Sequence, residues 1–491
     1  MSEAREPLRR VVVAGDGQVG LLAAIAIRRA LPRCEVLILP VPADSAAFSN
    51  LAATSLPFTV ELHERLGISE EAIVRQAGGS HRLLTRLLGF GDGDRPTTMT
   101  YGAAVDAAAN TRFARDWGGG RPPPFSQGTA DPLAEALVDT GRFAVAPPDT
   151  PTPISGVDYA MRWNPAAYRG LLIEIARQMR IGSVGGRVAG FEKGGENELA
   201  AIIIEEQGRL QADLFVDCSG PGSFLLSALS GCMDDDWSAV LPPVHIHMSA
   251  PGQPMLALED RLSLLPEGWF SELAGRDGLQ CALGTSSDLS PAQVSSILGG
   301  QVHSSVSVKP GRRRNAWVGN VVAIGDAAAR FGPLLGLPLD LAHRQLGLLL
   351  DMLPGSTIEP AERAEFNRRS GLMADAVRDT LGLIYASPRA AGRFAPATPS
   401  DRVAQTIDQF RRRGRVISWE EPPFLKQELA MLIEALVFEK GEGLPDDVDA
   451  GQAQAMGRDL EQRLRSAIAY APPYAQWMAG VMAGSSERHP A

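Results

Sequence analysis

Along the first forty residues, apolar positions come in runs rather than in alternation. Arg10–Ala14 carries three consecutive valines and predicts a buried strand. Residues 21–31 are almost continuously apolar and predict a buried helix, and Glu35–Leu39 again predicts a strand. Between residues 164 and 181 the apolar positions recur at helical spacing through Leu171, Leu172, Ile175 and Met179. Three strand-like stretches follow at 188–193, 200–206 and 210–216, with a Gln207-Gly208 turn between the last two, and predict a meander. Residues 321–324 predict another buried strand, after which the chain turns helical to about residue 352. From roughly 360 to 485 it is mostly helical and amphipathic. Two Pro/Gly-rich stretches, 118–126 and 143–156, predict loops.

The chain has 491 residues, enough for two or three lobes at about 100–200 residues each. With 45% apolar and 21% charged residues it has a globular composition, which excludes disorder for its bulk. The 47 Lys and Arg against 57 Asp and Glu leave a net charge of −10, which argues against a general nucleic-acid binder. The clusters Arg312-Arg313-Arg314 and Arg411-Arg412-Arg413 read as solvated faces or anion contacts. Cys34, Cys218, Cys232 and Cys281 show neither CxxC nor zinc-ligand spacing, so no disulfide framework and no metal site is expected. No signal-like or membrane-spanning apolar segment is present, and a cytoplasmic protein without membrane partners is the expectation.

Gly15-x-Gly17-x-x-Gly20 falls between the first strand and the first helix. There the first glycine makes the turn, the second admits a pyrophosphate, and the third lets helix and strand pack. The acidic residue that would bind a ribose at the end of the second strand is missing. That strand ends Leu37-Ile38-Leu39-Pro40, with Asp44 a distant substitute. Asp213-Leu-Phe-Val-Asp217-Cys218-Ser219-Gly220 places a strand before a small-residue turn, a second backbone approach to a dinucleotide. In Gly325-Asp326-Ala327-Ala328 an aspartate sits where a strand gives way to a helix. One N-terminal glycine motif and no second nucleotide domain favour FAD over NAD. His245 and His247 share a strand face and read as a sheet-surface pair rather than metal ligands. Trp163 and Trp237 read as core, with stacking on a flat substrate as the other reading. Cys218 reads as a small buried hydrophobe.

These segments, with Leu56-Pro57, His63-x-x-Leu66-Gly67-Ile68, Gly268-Trp269, Arg314-Asn315-Ala316-Trp317-Val318-Gly319-Asn320, Pro333-Leu334 and Glu365-Phe366-Asn367, carry a resemblance over about residues 10–385. The chain resembles the flavin-dependent tryptophan halogenases, within the wider class of flavoprotein monooxygenases. The resemblance implies an α/β fold: a doubly wound, Rossmann-like FAD sheet of the hydroxylase type with an antiparallel meander, a substrate-facing layer and a helical C-terminal region. The expected division is a discontinuous FAD-binding domain of residues 8–50, 160–225 and 312–352, a substrate-facing region of 51–159 and 226–311, and a helical region of 353–491. Cofactor contacts are expected at Gly15, Gly17, Gly20, Asp217, Gly325, Asp326 and Ala327.

In that family a lysine, aided by a glutamate, directs hypohalous acid onto an aromatic substrate. The matching segment reads Gly79-Ser80-His81-Arg82, so arginine stands in the lysine's place; it holds its charge and cannot become a neutral amine. The glutamate segment reads Gly332-Pro333-Leu334-Leu335-Gly336-Leu337 and has no carboxylate. The Trp-x-Trp-x-Ile-Pro signature reads Trp269-Phe270-Ser271-Glu272-Leu273-Ala274 and keeps its first tryptophan. Arg82 and His81 are the catalytic candidates, as a polar pair facing a tunnel; the other reading is a helix-surface histidine and a solvated arginine. The expected activity is an FAD-dependent oxidoreductase using reduced flavin and oxygen on an aromatic or planar small molecule. A separate flavin reductase would supply the reduced cofactor, and a homodimer is in keeping with the family. Two alternatives stay open: halogenation with Arg82 in place of lysine, and a degenerate member acting as a binding or regulatory protein.

Overall fold

The computed structural model describes residues 6–42, 44–91, 96–102, 132–147, 150–195, 197–230, 232–441 and 450–484. The loop expected at 118–126 lies outside these residues. Valines 11, 12 and 13 are fully buried, which puts Arg10–Ala14 in the middle of a six-stranded sheet. The order is Trp317–Val318, Val321–Ala323, Leu214–Asp217, Arg10–Ala14, Glu35–Leu39, Gly182–Ser183. Every pairing in it is parallel except that of the Trp317–Val318 edge. Parallel strands are covered on both faces, and that is why apolar runs rather than alternation mark them. Helix Gln18–Ala30 packs against this sheet, and Pro165–Gln178 and Leu337–Asp351 pack against that helix.

The meander forms from Val188–Lys193, Leu199–Ile204 and Gly208–Leu210. The third expected strand, 210–216, divides: its start pairs in the meander, and Leu214–Asp217 crosses to the parallel sheet beside Arg10–Ala14. A seven-stranded sheet forms the second layer. Its order is Val302–Val308, Val244–Ser249, Gln280–Thr285, Gly268–Leu273, Glu259–Leu265, Leu84–Leu88, Thr97–Thr100. Only Glu259–Leu265 with Leu84–Leu88 is a parallel pair among these. The C-terminal part is helical, through Pro360–Tyr385, Asp401–Arg413, Lys426–Ala435, Ala450–Tyr470 and Tyr474–Ala483. One continuous apolar cluster runs through both large sheets and these helices. No described helix is long and apolar enough to cross a membrane.

Candidate functional site

The crevice in which an open parallel sheet binds its ligand lies beyond the carboxyl ends of the strands. Here the ends of Arg10–Ala14, Leu214–Asp217 and Val321–Ala323 converge on it. Gly15 has φ +112°, and a Cβ there would overlap the carbonyl of Cys218; a Cβ on Gly20 would overlap the carbonyl of Gly15. Both glycines are therefore required by the turn and the helix–strand packing themselves. Gly17, at the N-cap of Gln18–Ala30, is different: a Cβ there would overlap the side-chain amide of Asn50. Asn50 Oδ1 accepts from the Val19 amide at 3.2 Å, so a side chain of this protein caps the helix where a phosphate would be received.

Asn50 belongs to a short segment fastened on several sides. The buried Asp326 carboxylate accepts from the backbone amide of Ser49 at 2.8 Å and from the Ser49 hydroxyl. Burial pushes the Asp326 carboxyl up to about 7, against the two Ser49 hydrogen bonds that pull it down. Gln18 Nε2 donates to the carbonyls of Ser49 at 2.7 Å and Ala52 at 3.0 Å, while its Oε1 accepts from Trp163 Nε1 at 2.9 Å. Ala47 and Phe48 are buried, and Gly220 faces the Ala47 methyl. The Asp44 carboxylate turns back onto the Ala46 amide at 2.7 Å.

Asp217, expected at the cofactor, has its side chain engaged by backbone amides. Its carboxylate is fully buried and accepts from the amides of Leu225 (2.8 Å), Leu226 (2.9 Å) and Ser219 (3.1 Å), so it builds the turn after its own strand. Cys218 is buried, and burial raises its thiol well above the ordinary range, in keeping with an inert side chain. Gly325 donates its amide to Gln345 Oε1 at 2.8 Å, and Ala327 is buried.

The helix-surface reading of His81 and Arg82 does not describe their surroundings. They lie on the strand Ser80–Arg82, not on a helix, and both side chains are buried. The Arg82 guanidinium pairs with Asp260 and donates to the Ser55 carbonyl, with its carbon 5.1 Å from the Tyr101 ring centre. Arg162 approaches the other oxygen of Asp260 at 2.9 Å, and Thr54 Oγ1 donates to the first at 2.9 Å. His81 bonds Glu70 through Nε2 at 2.9 Å, stacks on Phe143 at 4.4 Å and meets Trp477 edge-on at 4.8 Å. Such contacts hold strands and the C-terminal helix together, and they leave Arg82 Nε as a buried donor without a partner.

The remaining candidates divide similarly. Trp163 and Trp237 are buried in the core. Trp269 is buried as well, with Nε1 donating to the Tyr385 hydroxyl at 3.1 Å. Leu334 and Leu337 fill the glutamate segment with buried apolar side chains. His245 and His247 lie on the outward face of Val244–Ser249, with His247 bonded to Ser305 at 2.8 Å. No group of three metal-ligating side chains occurs among the described residues.

A small cavity of about 40 Å³ lies between Phe48, Ala52, Met248, Cys281 and Pro333, apart from the glycine turn. The residues present do not fit a dinucleotide phosphate as they stand: Asn50 caps the helix N-terminus and Ser49 engages Asp326. Ser49, Asn50 and Gln18 had no part in the sequence reading. The one hint was a polar Ser-Asn pair within an otherwise small and apolar stretch.

A family model described as tryptophan halogenase matches residues 10–438. The tryptophan 7-halogenase KtzQ of Kutzneria sp. (strain 744) is 25% identical over 461 residues, covering 82% of each chain. Among solved structures, the flavin-dependent halogenase BrvH of Brevundimonas sp. BAL3 superimposes with a TM-score of 0.80 at 21% identity, covering 96% of this chain and 99% of that one. The tryptophan 6-halogenase SttH of Streptomyces toxytricini gives 0.82 at 18%, covering 97% and 100%. The expected α/β architecture is that of these structures, and the family is one of enzymes that work with reduced flavin. With the glycine turn, the two layers and the helical tail all in the family's order, the chain belongs to the tryptophan halogenase family.

Proposed function

We propose that this chain keeps the family's scaffold without its halogenation chemistry and acts by binding rather than by oxidation. The observation that carries this reading is Arg82, which stands in the lysine's place and is 1% exposed, spent on Asp260 and the Ser55 carbonyl. A group that must meet hypohalous acid and an aromatic ring needs a free face. Withdrawing Arg82 from its partners would leave Asp260 to a single arginine in a buried site. The missing glutamate and the Asn50 cap on the first helix support the same reading.

The experiment supplies the full chain with FAD, a flavin reductase, NADH, bromide and either tryptophan or indole, and follows products by mass spectrometry. No halogenated product is expected; a brominated product above the level without protein overturns the reading.

A second reading is favoured by the intact turn Gly15–Gly20. In it the chain is an oxidoreductase that uses reduced flavin, supplied by a separate reductase, and oxygen to oxidise a planar aromatic molecule. It predicts saturable FAD binding, tighter for the reduced form, and a hydroxylated rather than halogenated product in the same assay.

A further inference from the structure

We propose that residues 44–52 are an intramolecular occupant of the dinucleotide crevice, with the Asn50 carboxamide in the place of a ligand phosphate. The proposal deepens the reading above and rests on it: the segment is what keeps the scaffold free of a dinucleotide.

Four independent contacts argue for an occupant rather than a loop that merely lies nearby. Asn50 Oδ1 accepts from the first turn of Gln18–Ala30 and lies flush against Gly17, the glycine whose missing side chain would admit a phosphate. An anionic or carbonyl oxygen is what that helix terminus receives in a nucleotide site. At the other side of the crevice, Ser49 engages Asp326 through both its amide and its hydroxyl. Gln18, the first residue of the helix, clamps the carbonyls of Ser49 and Ala52 from beneath. Finally, Ala47 and Phe48 fill the floor, Ala47 against Gly220. The segment thus satisfies the polar groups of the crevice and buries its own apolar ones. A dinucleotide must replace all of these contacts to enter, so its apparent affinity is lowered by the fraction of molecules in which the segment is dislodged.

The test titrates FAD and ADP into the full-length protein and into Asn50→Gly, Ser49→Ala and the double variant, by calorimetry and flavin fluorescence, with circular dichroism to confirm folding. Asn50→Gly removes the phosphate mimic, and Ser49→Ala removes the hydroxyl bond to Asp326, leaving the amide bond, without touching the helix cap. The expected result is no saturation of the wild-type protein at about 100 µM ligand. The double variant should bind both ligands at least about tenfold more tightly. A Gly17→Val substitution in the double variant should abolish that gain, since the gain depends on the freed cradle. If wild type and double variant bind with equal affinity, or if neither binds, the segment is not the barrier and the proposal falls. These failures separate from failure of the functional reading. Tight flavin binding with turnover by the wild type sinks that reading, whereas absence of binding in every variant leaves it standing and removes only the occupant.

Discussion

At the scale of single residues, the protein spends its most chemical side chains on buried pairs. Arg82 and Arg162 share Asp260. Arg82→Ala leaves the Ser55 carbonyl without a partner and takes the charge from the Asp260 oxygen that keeps only Thr54, and should cost about 3 kcal/mol, read from the urea midpoint. Arg82→Lys restores the family's residue type but offers one compact ammonium for two separated acceptors. It should lose part of that stability and yield no brominated product; product from this variant would mean that the position still faces a reactive channel. Asp326 gives a prediction with a defined sign. Its folded carboxyl titrates at about 7 against 3.8 for the ordinary group. The folded state therefore binds the extra proton, and the stability this brings is complete below pH 4 and lost as pH rises to 7. Over that window the wild type should lose about 4 kcal/mol relative to Asp326→Asn, which does not titrate. Parallel melting curves of the two from pH 4 to 7 would refute a buried, proton-holding Asp326.

Between elements, buried imidazoles tie the helices over the parallel sheet. His63 on Pro57–Arg65 bonds Tyr168 on Pro165–Gln178 at 2.6 Å. His343 on Leu337–Asp351 bonds Thr59 at 2.8 Å. Burial lowers His63 to about 4 and His343 well below its ordinary value. Both are held neutral, so the unfolded chain takes up protons first as pH falls below 6.5, and stability drains down to about pH 4. For His63 the share is about 3 kcal/mol. His63→Gln removes this loss, so its melting temperature relative to wild type should rise as pH drops through that window; a constant offset would mean that His63 takes up its proton in the fold as readily as in the unfolded chain. The pattern that announced these helices and strands was local: apolar runs for covered strands, apolar positions at helical spacing for Pro165–Gln178, and a glycine turn between the first strand and helix. Ser80–Arg82 was not legible in this way. Three residues carry no period, and the strand exists because Ala160–Arg162 pairs with it from far along the chain.

In the whole molecule, the contacts on which the proposed function rests join residues remote in sequence, and this is why they could not be read from motifs. The Ser49–Asp326 contact spans 277 positions and the Arg82–Asp260 contact 178. Gly15, Gly17 and Gly20 looked like a ligand cradle because the same glycines serve a turn whether or not a ligand follows; only the approach of Asn50 separates the two. The C-terminal helix makes the point most directly. Tyr474 is buried, its hydroxyl accepts from the His81 amide at 2.6 Å, and its ring lies among His81, Phe143 and Trp477. The helix Tyr474–Ala483 therefore packs on the strand on which the catalytic candidates sit. Tyr474→Phe keeps the ring and deletes the acceptor, leaving a buried amide unsatisfied at a cost of about 1–3 kcal/mol. Two-state unfolding should persist in this variant, with fluorescence and circular dichroism reporting the same lowered midpoint. Separate transitions, an early one for residues 450–484 and an unshifted one for the rest, would show instead that the helix is an appendage and that His81 is held without it.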